Sequence, residues 1–159
     1  SGWTVHLSIA QGADTVFLER LPTLRGMQVM REFRRRWPLH ATSSGKAICA
    51  YDPEATAARV EAGFPAFTPH TIRSEKAFAA ELAKVRSRGY ATSREELMAD
   101  LASVAAPVLD LHGVAIAAIS ITGSVSELAD ARDRQVRLVT AAAKRLSQVM
   151  LTPDTTGPH

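Results

Sequence analysis

The chain has 159 residues, 46% of them hydrophobic and 22% charged, with a formal net charge of +3; that length and balance suit one globular core and exclude a disordered tail as the whole. Its one cysteine, Cys49, excludes an internal disulfide framework and a cysteine-built zinc finger, and fits a reducing compartment, with the cytoplasm the expected location. No run of about 18 apolar residues occurs, and the first residues lack a basic region followed by an apolar one, so neither a membrane-spanning helix nor a secretion signal is expected.

Trp3, Val5, Leu7 and Ile9 alternate along residues 3–10 and share one face, as in a half-buried strand. Gln11-Gly12-Ala13-Asp14 is a turn, and residues 15–21 form a second strand that stops for Pro22, so the chain opens on a β-hairpin. Over 24–37, Leu24, Met27, Met30, Phe33 and Trp37 recur at helical spacing, while Gly26 and the arginines oppose a helix; the local structure stays open. The cluster Arg31 with Arg34, Arg35 and Arg36 is broken by Glu32 and Phe33, and reads as a solvated basic edge rather than the extended stripe that DNA binding uses.

Thr42 or Ser43 caps a short helix over 44–50, and Asp52-Pro53 supplies an N-cap and a first-turn proline for a second helix ending near Gly63. A proline-containing loop covers 64–71. Ser74 then caps a helix whose Phe78, Leu82 and Val85 form one apolar stripe, with Gly89 placed to end it. The apolar runs 101–109 and 114–122 are joined by Asp110-Leu111-His112-Gly113 and form a second hairpin. Ser124 and Glu127 have capping-box spacing, and Leu128, Ala131, Gln135, Val139, Ala142, Leu146 and Val149 continue at helical period to about Met150, leaving 152–159 as a disordered tail. The order of hairpin, helices, hairpin and helix gives an α+β domain with helices packed on an antiparallel sheet.

Two groups of residues carry possible chemistry. The helix start at Ser43-Ser44-Gly45 presents backbone N–H groups to a carboxylate, with Gly45 allowing close approach; alternatively the hydroxyls only cap the helix and Gly45 only packs tightly. In the later hairpin, alternation places Val114, Ile116, Ala118, Ser120 and Thr122 on one face. If Leu109 faces Val114 across the turn, Ser103 lies opposite Ser120 and Leu101 opposite Thr122, so hydroxyls converge at one end of an apolar row. Leu101, Met98 and Ile116 would then flank an apolar body such as an aromatic ring. Bonding of Ser103 and Ser120 to each other or to backbone is the competing reading.

Other motifs are weaker. Ser43-Ser44-Gly45-Lys46 has the serine-x-x-lysine spacing of an acyl-transfer enzyme, but the companion motifs are absent. Gly45-Lys46 resembles the end of a phosphate loop, yet His40 stands where the earlier glycine is needed. His6, His40, His70 and His112 lack metal-ligand spacing with one another or with Cys49, so no metal and no cofactor is expected.

The segment Pro38-Leu39-His40-Ala41-Thr42-Ser43-Ser44-Gly45-Lys46-Ala47 resembles the one that marks the effector-binding domain of isocitrate-lyase-regulator (IclR) transcription factors. Arg88-Gly89-Tyr90-Ala91, Glu95-Glu96, the run 104–110 and the run 117–123 are similar to that family's later motifs, in the same order and at matching spacing. The resemblance covers Val5 to about Met150 and implies a GAF-like curved antiparallel sheet, with 24–37 partly extended and residues 1–151 as one effector-binding domain. It also implies an upstream winged helix-turn-helix domain, absent from this chain, as the DNA-binding part, and assembly as homodimers or tetramers. Relatives bind small acids at positions that match Ser43, Ser44, Ser93, Leu101, Ser103, Ser120 and Thr122 here. This chain departs from them with Ser93 in place of an acidic residue, Asp100 in place of glycine and Ser103 in place of cysteine. The implied function is a sensor of a small organic acid, aromatic acids included, and not an enzyme; an oligomerisation module without a ligand is the alternative from another class.

Overall fold

A computed structural model describes residues 3–22 and 36–151. Most of the ambiguous stretch 24–37, with Arg31, Arg34 and Arg35 of the basic cluster, and the expected tail 152–159 lie outside the described residues. The strands are β1 (Thr4–Gln11), β2 (Asp14–Pro22), β3 (Arg36–Pro38), β4 (Ala91–Arg94), β5 (Leu101–Leu109) and β6 (Ala115–Ser124). They form one antiparallel sheet in the order β3-β2-β1-β6-β5-β4, curled into a half-barrel. The helices are α1 (Ser43–Cys49), α2 (Pro53–Ala62), α3 (Glu75–Arg88) and α4 (Val125–Leu151), which makes the domain α+β and GAF-like. None of the described helices is long and apolar enough to cross a membrane.

Local chemistry sets the boundaries. Gly12 (φ 59°) and Gly113 (φ 77°) take the left-handed conformations that close the two hairpins. Asp52 accepts the N–H groups of Glu54 and Ala55, and Ser74 accepts that of Ala77, so α2 and α3 start where their caps stand. β4 is an element the hydrophobic pattern misses: four residues are too few to display a period, and only pairing with β5, from Ala91↔Ala105 to Arg94↔Ala102, defines it.

The sheet separates two cores. On one face α4 packs over Ala102, Val104, Ala106, Val108, Ala117 and Ile121 through Leu128, Val139 and Ala143. The expected α4 stripe is displaced at its far end, where Ala143 rather than Ala142 is buried and Val149 is exposed. On the other face α1, α2 and α3 enclose Leu39, Ile48, Phe78, Leu82 and Val85 against Ala105, Ala115 and Ala118. Alternation in β1 is as expected, but the polar side is the deeper: Thr4, His6 and Ser8 are buried while Val5 is exposed. The reason is coverage: α1 packs against β1, whereas α4 lies mainly over β5 and β6.

One contact fixes how closely α1 approaches. A single 3-10 turn, Leu39–Ala41, precedes it, and a Cβ on Gly45 would stand 2.1 Å from the Leu39 carbonyl oxygen and 2.5 Å from its Cα. Gly45 therefore admits the Leu39 backbone, not a ligand. In an ordinary helix interior alanine is favoured over glycine by up to about 1 kcal/mol; here the clash reverses the sign, and Gly45→Ala destabilises the fold by about 1–3 kcal/mol or more. Urea unfolding measures this, and a variant as stable as the native chain would contradict the packing described.

Candidate functional site

The start of α1 meets the sheet around a small cavity. Its wall consists of Phe17, Ala41, Thr42, Ser43, Ser44, Ser93, Leu97, Leu101, Ser103, Ser120 and Thr122. Of the residues expected from the sequence, Ser43, Ser44, Ser93, Leu101, Ser103, Ser120 and Thr122 meet here, while Gly45 does not. The open space is about 20 Å³, enough for about one water molecule.

Several of the hydroxyls are bonded to one another and to backbone. Thr42, the N-cap of α1, accepts the Gly45 N–H at 3.0 Å, and its Oγ1 lies 2.9 Å from Thr15 Oγ1. Ser103 donates to Ser43 Oγ at 2.7 Å, bridging β5 to α1. Ser103 thus bonds a hydroxyl of the helix, not Ser120 and not backbone.

The hairpin register differs from the simple one. Asp110 N–H donates to the Val114 carbonyl, so the turn is one residue tighter, and a bulge at Val108/Leu109 adds a second shift. As a result Ser103 faces Thr122, Ala105 faces Ser120 and Leu101 faces Ser124. A slip of two residues preserves side-chain facing, which is why the hydroxyls still converge. It does alter the apolar rim: Ile116 falls at the bulge and is exposed, and Leu97 rather than Met98 lines the cavity, joined by Phe17 from β2. Asp100 is exposed, its Oδ1 accepting the Val125 N–H at 3.3 Å at the start of α4, so its charge points away from the cavity.

Lys46 is buried, and its Nζ donates to Glu96 at 2.9 and 3.1 Å and to Glu81 at 3.4 Å. Lys46 Nζ is thus engaged by carboxylates and not by a serine hydroxyl, while Ser43 Oγ accepts from Ser103. His40 is buried between Phe64 and Phe67 with Nε2 2.9 Å from the Pro65 carbonyl. Among the described residues no three His, Cys, Asp or Glu side chains gather as a metal ion would require. A larger, open groove of about 840 Å³ lies between α2 and α3 with Ala57, Val60, Ala79 and Leu82 in its walls; it contains none of the expected residues.

The family model of the bacterial transcriptional regulator IclR C-terminal domain matches residues 1–148. The chain belongs to the IclR family. It is 33% identical over 141 residues to the glycerol operon regulatory protein of Streptomyces coelicolor, an alignment covering 89% of this chain and 56% of that protein. The chain spans about half the length of the curated relatives it matches. The solved C-terminal domain of the Escherichia coli regulator KdgR superposes with a TM-score of 0.80 at 29% identity, covering 94% of this chain and 88% of that one. The inducer-binding domain of PobR from Acinetobacter, solved as a double mutant with 3-hydroxybenzoic acid, superposes with a TM-score of 0.79 at 26% identity, covering 94% and 90%. As an IclR C-terminal domain, the chain is an effector-binding domain of a transcription regulator.

His6 adjoins this IclR cavity from β1, opposite Ser120 in the sheet and with its ring centroid 4.6 Å from that of Phe17. Burial, with a smaller contribution from the Arg20 charge, lowers its pKa to about 4, and burial likewise lowers that of His40. Both imidazoles fold neutral, whereas the unfolded chain takes up protons below about pH 6.5. Their contribution to stability is complete above that pH and falls as the pH drops towards 4, by up to about 3 kcal/mol for His6. His6→Gln should flatten the fall in unfolding free energy between pH 7 and pH 4.5; a pH slope equal to that of the native chain would contradict this environment.

Proposed function

We propose that the hydroxyl-lined cavity binds a small organic acid, and that occupancy modulates DNA binding by a winged helix-turn-helix domain elsewhere in the regulator. The observation that carries this reading is the composition of the wall: seven of its eleven residues are Ser or Thr, drawn from α1, β4, β5 and β6 and from the cap before α1. A dry core gains nothing from that many buried hydroxyls, each of which needs a partner. A carboxylate, acceptor-only when ionised, matches a set of donors. Phe17, Leu97 and Leu101 supply an apolar side for the rest of the molecule, which an aromatic ring would suit. The 3-hydroxybenzoic acid bound to the PobR domain supports the class without naming the ligand of this chain. The α2–α3 groove is roomier and mostly apolar; its Arg86 already donates to the Ala50 carbonyl at 3.3 Å, and Glu61 and Glu75 in the same wall oppose an anion.

A ligand shifts a regulator only by binding one arrangement of the domain better than another. Closing the Ser43–Ser103 bridge around a carboxylate would couple α1 to β5 differently from closing it on itself. A thermal-shift screen of small carboxylic acids tests the reading: a ligand at a hundred times its dissociation constant adds about 2.7 kcal/mol. Ser103→Ala combined with Ser120→Ala should then weaken binding by about 2–4 kcal/mol while the fold survives. Full affinity in the double variant would remove these hydroxyls from the site.

Exposed Leu138, Val149, Met150 and Leu151 on α4 favour a second, compatible reading, self-association as a homodimer or tetramer. A broad acid screen without a hit, together with a concentration-dependent mass in sedimentation, would favour the purely structural role.

A further inference from the structure

Space for about one water molecule is far below the roughly 300 Å³ or more of ordinary small-molecule sites. An organic acid therefore enters only when part of the wall moves. Strands β2, β4, β5 and β6 are held in the sheet, Phe17 facing Ser8 of β1; α1 is pinned by the Gly45–Leu39 contact, and Thr42, after Ala41, is tied to Thr15 and Gly45. The remaining wall is residues 95–100, the connection from β4 to β5 that carries Leu97.

This connection is built as a flap on a neck. Glu95 (φ 55°) and Asp100 (φ 57°), one at each end, are non-glycine residues in the left-handed region, a conformation that side-chain-bearing residues adopt at a cost. The neck is tied at its base, where the Glu95 N–H donates to the Leu101 carbonyl at 2.7 Å and the Asp100 N–H to Glu95 Oε1 at 3.1 Å. Contacts that hold the tip down are polar. Lys46 Nζ donates to both oxygens of Glu96, Thr71 Oγ1 donates to the Glu96 carbonyl at 2.6 Å, and Thr68 Oγ1 donates to the Glu95 carbonyl. Leu97 is the apolar exception, 7% exposed and lining the cavity.

We propose that residues 95–100 are a hinged lid over the hydroxyl cavity, with Leu97 as its plug and the Lys46–Glu96 ion pair as its latch. This rests on the reading of that cavity as the acid's site and adds how access to it is controlled. Glu81 makes the latch reversible. When Glu96 swings away, Lys46 keeps a carboxylate 3.4 Å distant on α3, so opening does not strand a buried ammonium.

Ser103→Cys places a thiol inside the cavity, at a position where the wall already holds a small polar side chain. The native Cys49 serves as an internal control, since it is buried in α1 and burial pushes its thiol pKa up to about 12, so it labels only on larger unfolding. Timed alkylation with N-ethylmaleimide, read by peptide mapping, follows both thiols in one molecule. Adding Glu96→Gln should speed labelling of the introduced thiol by about tenfold or more while Cys49 is unchanged. Glu81→Gln, which removes the carboxylate that keeps Lys46 paired when Glu96 leaves, should not raise that rate and should lower it. A rate that Glu96→Gln does not raise, that rises only in step with Cys49, or that Glu81→Gln raises equally, overturns the lid. No ligand takes part, so accelerated labelling beside an empty acid screen would sink the binding proposal and keep the lid, whereas acid binding without acceleration would do the reverse.

Discussion

Between α1 and the sheet, the Ser103 hydroxyl donates to Ser43 at 2.7 Å and the Thr15 and Thr42 hydroxyls meet at 2.9 Å. These bonds satisfy polar groups at a depth where other parts of the interface are apolar, and an unsatisfied buried hydroxyl costs roughly 1–3 kcal/mol. The helix face and the sheet face are thereby committed to each other at this seam.

Holding it requires a close approach. Gly45 lets α1 lie on the Leu39 backbone, and Lys46 ties the same helix to α3 through Glu81 and to the β4–β5 connection through Glu96. Buried ion pairs contribute little net stability, yet breaking one partner away is costly. Such a pair specifies position more than it stabilises, and here it positions a wall of the cavity. Ser93 and Ser103 are two of the small side chains that face the cavity.

Features governed by neighbouring residues were legible in the chain: both hairpins, the Asp52, Ser74 and Ser124 caps, the Gly89 stop and the long last helix all follow from local turn and capping chemistry. Seven of the eight expected site residues meet in one cavity because face, not register, decides convergence, and the combined turn and bulge shift is an even number of residues. Features that depend on distant partners were not legible. Gly45 signals its role only through Leu39 packing, Phe17 and Leu97 reach the cavity from other elements, and the Lys46 pairs span 35 and 50 residues of chain. Nor does alternation reveal which face of β1 is deeper, since that depends on which helix covers the strand.

The central claim is that an acid docks among the hydroxyls of this seam and not in the roomier groove between α2 and α3. Amide proton–nitrogen spectra of the labelled domain, recorded with acetate, benzoate and 3-hydroxybenzoate in turn, locate any binding residue by residue. The account predicts that the acid that binds perturbs Ser43, Ser44, Ser103, Ser120 and the 95–100 connection together. Perturbations confined to Val60, Ala79 and Leu82 would place the ligand in the other groove and contradict it.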